Sequence, residues 1–444
     1  MKTHFSKLGF VLAVAGGAVG LGNAWKFPTL SAQNGGFAFV LLYLFFTLSL
    51  GLSVFLAELA MGRLSKSDLA SAYKNLALKG GRYWKFGGIF MLGGIFVLSF
   101  YLLIMGWVLK YTLFSLFYLP KSIEVAGENF NSLITNELSL SLLFYLISFF
   151  LTLFVVSKGI IKGIERLNLI IMPSLFLMLL SMLVFCFFFE KGITQAFSYL
   201  FSPNLKDFKL SFVLEALGLS LFTLCLGIGC IVTYSASLDK KTNFIKSSLF
   251  VVFINIIISL MMGLIVFTFI FEFDANPATQ GASLVFVALT SLFTHFGVFG
   301  NFLASYFFLA LFFAGITSAV SMIEPLVFYL TNHFSISRKK ALFYLGSLVL
   351  LLGLCSVLSL NVNFGFRVLN LSFFDFLDKL SSNFLLPLGV FASAIFVGFF
   401  MDKRRIYKLF SKFMSKKIFK FWYFFLRFIS PLMIMAVMFY QIFG

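Results

Sequence analysis

The sequence predicts an all-α integral membrane protein of eleven transmembrane helices, with the first and sixth broken and two five-helix halves of opposite topology. Three observations carry this expectation. Of 444 residues, 61% are hydrophobic and only 11% charged, against about 25% charged in soluble domains. The Lys and Arg residues gather in alternate loops. Two apolar segments five spans apart are each interrupted by a pair of glycines.

A spanning helix needs roughly 20 mostly apolar residues. Eleven segments qualify: 8–28, 37–62, 86–117, 140–157, 166–189, 211–236, 245–272, 299–331, 340–360, 381–401 and 421–442. Those longer than a bilayer requires are expected to tilt or to project beyond it. No short apolar region with a small-residue cleavage site precedes the first span, so no removable signal peptide is expected.

The net charge of +18 invites a nucleic-acid partner, but its distribution argues against one. Of the 34 Lys and Arg, 25 fall in one set of alternating loops, at 2–7, 63–85, 158–166, 240–246, 338–340 and 403–420. The opposite loops hold Glu124, Glu128, Glu137, Glu190, Asp207, Glu272 and Asp274. This is the positive-inside bias. It predicts a cytoplasmic N-terminus and, with eleven spans, an external C-terminus.

Cys186, Cys225, Cys230 and Cys355 all lie in apolar segments, so no disulfide framework is expected. His4, His295 and His333 are scattered, and neither zinc spacing, nucleophile elbow, P-loop nor dinucleotide fingerprint occurs. An enzyme is not expected.

The first span breaks at "VGLGN" (19–23), beside Lys26, and the sixth at "LGIG" (226–229). Glycine costs about 1 kcal/mol in a helix interior relative to Ala. Paired glycines also permit close helix packing in membranes. Here each break carries a polar neighbour, Asn23 in one and Thr223 in the other. Irregular backbone at membrane depth survives only where it is buried in protein or lines a cavity. Broken helices at matching positions of two inverted halves point to a transporter's ion and substrate site. The halves are taken as approximately 8–189 and 211–401, with 421–442 as an additional helix, in one domain spanning 1–444.

At these residues the chain resembles a known family. "LGFVLAVAGGAVGLGNAWKFPTLSAQNGGFAFVLLY" (8–43) is similar to the first-helix signature of the neurotransmitter:sodium symporter family. "AELAMGR" (57–63), "FYLLIMGW" (100–107), "GIERLNLIIMP" (163–173), "FTLCLGIGCIVTYSAS" (222–237), "LFFAGITSAVSMIEP" (311–325) and "FDFLDKLSSNFLLPLG" (374–389) match its later motifs in order. The resemblance spans nearly the whole chain and is to the bacterial, eleven-helix members. It fits the absence of cysteines from 118–139, where animal relatives carry a disulfide. It implies the leucine-transporter fold and a place in the bacterial inner (cell) membrane.

The resemblance also implies the site. One sodium would bind the Ala18 carbonyl, the side chains of Asn23, Thr223 and Asn255, and a substrate carboxylate. A second sodium would bind the carbonyls of Gly16, Val19 and Ala314 with the hydroxyls of Thr317 and Ser318. Ala18, Leu21, Gly22, Val97, Tyr101, Phe222, Thr223, Cys225, Ile228, Ser318 and Met322 would line the substrate. Lys26 and Asp378 would form an outer gate over the lid of Tyr101 and Phe222. The family usually has Arg where Lys26 stands. Lys lacks the bidentate fork of Arg, so a looser or water-bridged gate is expected. Gly163 and Pro173 would let the fifth helix unwind toward the cytoplasm.

Several positions depart from the family pattern. The inner gate's acid is replaced by Asn332, and no Arg precedes Lys7, which leaves Lys2 or His4 as candidate replacements. Glu58 and Glu324 are acids at membrane depth, read as structural or inner-pathway groups. Ser259 stands where chloride-independent members often carry an acid, so a chloride held by Tyr43, Thr223, Asn255 and Ser259 would supply the missing charge. Leu219, where the family has Gln, weighs against it. Relatives that carry monoamines place Asp at the position of Gly20, so the substrate is expected to bring its own carboxylate. The expected function is sodium-coupled symport of a neutral, hydrophobic amino acid into the cell by alternating access. The alternatives are an amino-acid sensor or a proton-coupled carrier of the same fold. The expected partners are the amino acid, sodium and the lipid bilayer.

Overall fold

The computed structural model describes residues 5–204, 208–238, 242–275 and 284–443. Among them nine helices are long and apolar enough to cross a membrane, and a bent pair, Lys7–Ala18 with Gly22–Gln33, brings the number to ten. The sixth expected span is divided between Leu210–Thr223 and Cys230–Ala236, and neither half alone has the length to cross. The remaining spans are Phe37–Ser65, Gly81–Phe114, Leu138–Ser157, Ile160–Cys186, Phe244–Glu272, Gly297–His333, Arg338–Leu360, Phe373–Phe400 and Lys416–Tyr440.

Helices dominate because a bilayer offers no water to backbone amides, so each segment must satisfy its own. Where a helix starts, a side chain takes over the orphan amides. Ser6 accepts from Gly9 N, Asn243 from Lys246 N, Ser337 from Lys340 N and Ser415 from Ile418 N. Pro28 falls at the start of the second half of the first span, where its missing N–H costs nothing. The only strands among the described residues, Arg367–Val368 and Leu371–Ser372, form a small hairpin between the ninth and tenth spans.

Small residues set the crossings, as they do where no hydrophobic force separates helix from lipid. A side chain at Gly62 would collide with the Val232 carbonyl, and one at Gly106 would come 2.9 Å from the Phe144 backbone. Gly227 and Gly389 meet backbone to backbone, which seats the break of the sixth span against the tenth. Leu78 N donates to Phe400 O at 2.8 Å, tying the loop after the second span to the end of the tenth.

Candidate functional site

The two breaks face each other in the buried centre. In the first, the half-helix ends at Ala18 and Val19 turns extended. The freed amides find side chains instead of carbonyls: Gly20 N donates to Asn23 Oδ1 at 3.1 Å and Leu21 N to Tyr101 Oη at 3.1 Å. In the sixth span, Cys225 (φ 55°), Gly227 (φ 83°) and Gly229 (φ 80°) take left-handed conformations. That is ordinary for glycine and costs a residue such as Cys225 on the order of 1–2 kcal/mol. Glu58, fully buried on the second span, accepts from Gly227 N at 2.9 Å and from Ser393 Oγ at 3.3 Å. It therefore caps the second break, an outcome closer to the structural reading than to an inner-pathway one.

Of the groups assigned to the second sodium, the Ser318 hydroxyl meets the Gly16 and Val19 carbonyls across the first and eighth spans, and Thr317 pairs with Ala314 within the eighth. Ser318 Oγ lies 3.0 Å from Gly16 O, 3.3 Å from Gly17 O and 3.1 Å from Val19 O. Thr317 Oγ1 lies 3.0 Å from Ala314 O. A hydroxyl has one proton, so Ser318 satisfies only one of its three carbonyls at a time. The surplus is a crowd of neutral oxygens in a dry site, the chemistry that suits a hard monovalent cation.

The groups assigned to the first sodium and to chloride form a single network. Asn23 Nδ2 is 2.7 Å from Asn255 Oδ1 and 2.8 Å from Ser259 Oγ. Asn255 Nδ2 donates to Tyr43 Oη at 3.1 Å and to Thr223 Oγ1 at 3.4 Å. Tyr43 Oη is 3.0 Å from Ser259 Oγ and 3.3 Å from Thr223 Oγ1. All five side chains are buried. Their hydroxyl and amide hydrogens can turn toward an anion, while the amide and hydroxyl oxygens can turn toward a cation. Among the described residues no three acids, histidines or cysteines gather as a metal site.

Leu21, Val97, Tyr101, Cys225, Ile228 and Met322 are buried around these breaks, and Phe222 is half-buried. Gly20 is closely packed: a Cβ there would come 2.9 Å from Tyr101 Oη and would collide with Ser318 Oγ. A Cβ at Gly22 would come 2.9 Å from the Phe222 ring.

On one side of the pocket, Lys26 Nζ contacts Asp378 Oδ1 at 3.3 Å and sits over the Phe222 ring at 4.4 Å. The same carboxylate oxygen accepts from Ser382 Oγ at 2.9 Å. Of the looser or water-bridged pair expected, the structure has a direct contact to one oxygen only, as the point charge of Lys dictates. A cavity of about 390 Å³ is lined by Lys26, Phe222 and Ser382 and reaches Glu215 and Tyr440.

On the opposite side, Lys2 and His4 lie outside the described residues, and Asn332 is exposed. Four contacts join the elements at that end. Glu324, fully buried on the eighth span, makes a two-pronged pair with Arg338: Nη1 reaches Oε1 at 3.0 Å and Nη2 reaches Oε2. Arg338 Nε also donates to Val156 O at 2.7 Å, bridging to the fourth span. Glu165 Oε1 accepts from Ser6 Oγ at 2.6 Å and Ser6 N at 3.1 Å, so the foot of the first span is tied to the fifth. Phe5 packs edge-on to Tyr234 at 5.7 Å. Sequence reasoning noted Glu324 but not its partner, and missed Ser6 and Glu165.

Gly163 sits in a wide π-helical turn, Ile160–Glu165, and Pro173 inside the helix that follows. Three residues past that turn is another residue missed in the sequence. Asn168 is buried, donates from Nδ2 to Ile164 O at 2.8 Å, and presses its Oδ1 against Gly16 with no donor of its own. An amide oxygen without a partner beside Gly16 adds to the surplus of acceptors there.

A family model described as "Sodium:neurotransmitter symporter family" matches residues 2–132 and 134–444. An uncharacterized sodium-dependent transporter of Bacillus subtilis is 35% identical over 436 residues, 97% of this chain and 96% of that one. Another from Haemophilus influenzae is 31% identical over 98% of this chain and 97% of its own length. The crystal structure of MhsT in complex with L-phenylalanine superposes with a TM-score of 0.89 at 33% identity, covering all of both chains. With its two facing breaks and its matched length, the chain belongs to the sodium:neurotransmitter symporter family and is a sodium-coupled membrane transporter of leucine-transporter fold, not an enzyme.

Proposed function

We propose that the chain carries a neutral, apolar amino acid into the cell together with sodium bound at two sites, by alternating access. The observation that carries this reading is the crowding of Gly16, Gly17 and Val19 carbonyls around the single hydroxyl of Ser318. Two breaks at matching positions of the halves 8–189 and 211–401 support an inverted repeat, with 421–442 outside it. The loop charges support a cytoplasmic N-terminus and an external C-terminus in the bacterial cell membrane. The phenylalanine of MhsT supports an amino-acid ligand. In proteoliposomes, labelled leucine or phenylalanine uptake should rise at least about ten-fold under an inward sodium gradient, and equal uptake in potassium or choline would overturn the reading.

Chloride is the second ion of the proposal. Tyr43, Thr223, Asn255 and Ser259 offer four hydrogen donors and no fixed negative charge. Replacing Ser259 by Glu supplies that charge on the same face. Ser259→Glu is expected to transport equally in chloride and gluconate, while the wild type slows in gluconate. A wild-type rate that ignores the anion refutes chloride coupling.

The Glu324–Arg338 pair is proposed as the inner gate in place of the family's absent one. Removing Arg338 leaves a carboxylate buried without its cation, which costs about 3–5 kcal/mol for fully buried pairs. Arg338 is 24% exposed, so water recovers part of that, and the closed state should lose on the order of ten-fold in population. Arg338→Ala should therefore speed amide exchange in residues 7–18 while slowing uptake. Unchanged exchange there would show that the pair does not hold the gate.

A further inference from the structure

A strongly charged cavity among the described residues lies apart from the breaks of the first and sixth spans. It has a volume of about 580 Å³ and lies where the tenth span ends and the eleventh begins. Lys403, Arg404, Lys416, Lys420 and Arg427 line it, with Asp402 the one acid among its lining residues. That carboxylate is already engaged: it caps the helix Lys403–Phe410 by accepting from Arg404 N at 2.8 Å, and lies 3.9 Å from Arg405. Five cations therefore share one cavity with a single carboxylate, an excess of four positive charges that repel one another.

Arg427 is the telling member. It sits within the eleventh span, in the π-helical turn Phe425–Ile429. Its guanidinium lies over the rings of Phe399 at 4.4 Å and Phe428 at 5.4 Å, so the plane is held in place. Its Nε is buried and meets no acceptor among the described residues. Gly398 makes the space, since a Cβ there would come 3.1 Å from Arg427 Cα. On the cavity wall Lys403 Nζ sits over Tyr423 at 4.8 Å, and the Tyr423 hydroxyl is spent on Gly398 O at 2.8 Å. Arg427 lines the cavity among other cations with one N–H unpaired, and a guanidinium binds an anionic acceptor such as a phosphate oxygen well.

We infer that this cavity binds the headgroup of an anionic phospholipid. The phosphate would meet Arg427 and the lysines at the rim, and the acyl chains would run over the exposed faces of Phe399 and Phe428, 41% and 45% accessible. The lipid is favoured over a free anion because these apolar faces continue from the charged cavity along the membrane-spanning part of the eleventh helix. Basic pockets between spans on the positively charged side of a membrane protein commonly hold acidic lipids. The proposal does not rest on the transport reading.

The full-length protein, purified in an uncharged detergent, tests this. Added phosphatidylglycerol should raise the melting temperature by about 3 °C or more, as saturating ligands do for folded proteins, and phosphatidylcholine should not. Arg427→Gln should lose most of that rise. Because Arg427 is partly buried, a second variant on exposed residues, Lys403→Gln/Lys416→Gln/Lys420→Gln, should lose it as well. Lys339→Gln/Lys340→Gln, in the first turn of the helix Arg338–Leu360 and away from this cavity, should keep it. The inference is overturned by no rise with phosphatidylglycerol, by an equal rise with phosphatidylcholine, or by a full rise in the triple variant. A matching rise with inorganic phosphate alone overturns the choice of a lipid. Loss of the rise in the Lys339/Lys340 variant overturns the location.

Discussion

Asn23→Ala is expected to weaken sodium and substrate binding together, each by about a hundred-fold. Asn23 is fully buried and its amide has partners on both ends: Gly20 N at 3.1 Å, Asn255 Oδ1 at 2.7 Å and Ser259 Oγ at 2.8 Å. Truncation removes a proposed sodium ligand and strands buried polar groups, each worth about 1–3 kcal/mol. A loss near 2.8 kcal/mol is a hundred-fold. If one ion touches both this amide and the substrate carboxylate, the two affinities are coupled and must fall reciprocally. Equilibrium binding of labelled substrate across a sodium titration measures both. A variant whose sodium half-saturation stays within about two-fold of wild type would remove Asn23 from the ion site. A uniform drop in substrate affinity at every sodium concentration would make it a packing residue only.

The breaks around Asn23 were legible because glycine pairs and polar neighbours interrupt an apolar run, and such a pattern has few soft explanations in a bilayer. The oxygens of the proposed sodium sites were legible only through resemblance. Gly16 and Ser318 stand 302 positions apart, and nothing in local periodicity joins them. The same holds for Lys26 and Asp378, 352 positions apart. The Glu324–Arg338 pair was half visible. An acid in an apolar helix signals a partner, but Arg338 begins the next helix, after the turn 334–337. Which way that turn points a side chain is set by tertiary packing. The hold of Ser6 on Glu165 left no signal, since Ser before an apolar run reads simply as a cap. The wide turns at Thr47–Gly51, Ile160–Glu165 and Phe425–Ile429 were equally hidden. One extra residue in a turn does not disturb a stretch that is apolar on every face.

The second large effect concerns what the pocket refuses. Around the breaks stand Leu21, Val97, Phe222, Cys225, Ile228 and Met322, none able to pair with a charge. Gly20 has no room for the acid that would meet a ligand amine, since even a Cβ there approaches Tyr101 Oη to 2.9 Å. In the proposed reading a ligand amine rests on carbonyls freed by the breaks, and its carboxylate on sodium and on the amides near Gly22. An amine without a carboxylate forfeits the sodium contact. Lys or Glu would bury a side-chain charge without a partner, at a cost of at least several kcal/mol in an apolar site. Leu, Met, Phe and Trp should therefore displace labelled substrate at least about a hundred-fold more effectively than Lys, Glu, dopamine or serotonin, which a competition series on the purified protein in sodium measures. Strong displacement by dopamine or serotonin would mean that the carboxylate is not the anchor. Strong displacement by Lys or Glu would mean that a charged partner reaches the pocket, and Lys26 or Asp378, 3.3 Å apart at its outer edge, would then have to leave each other to provide it.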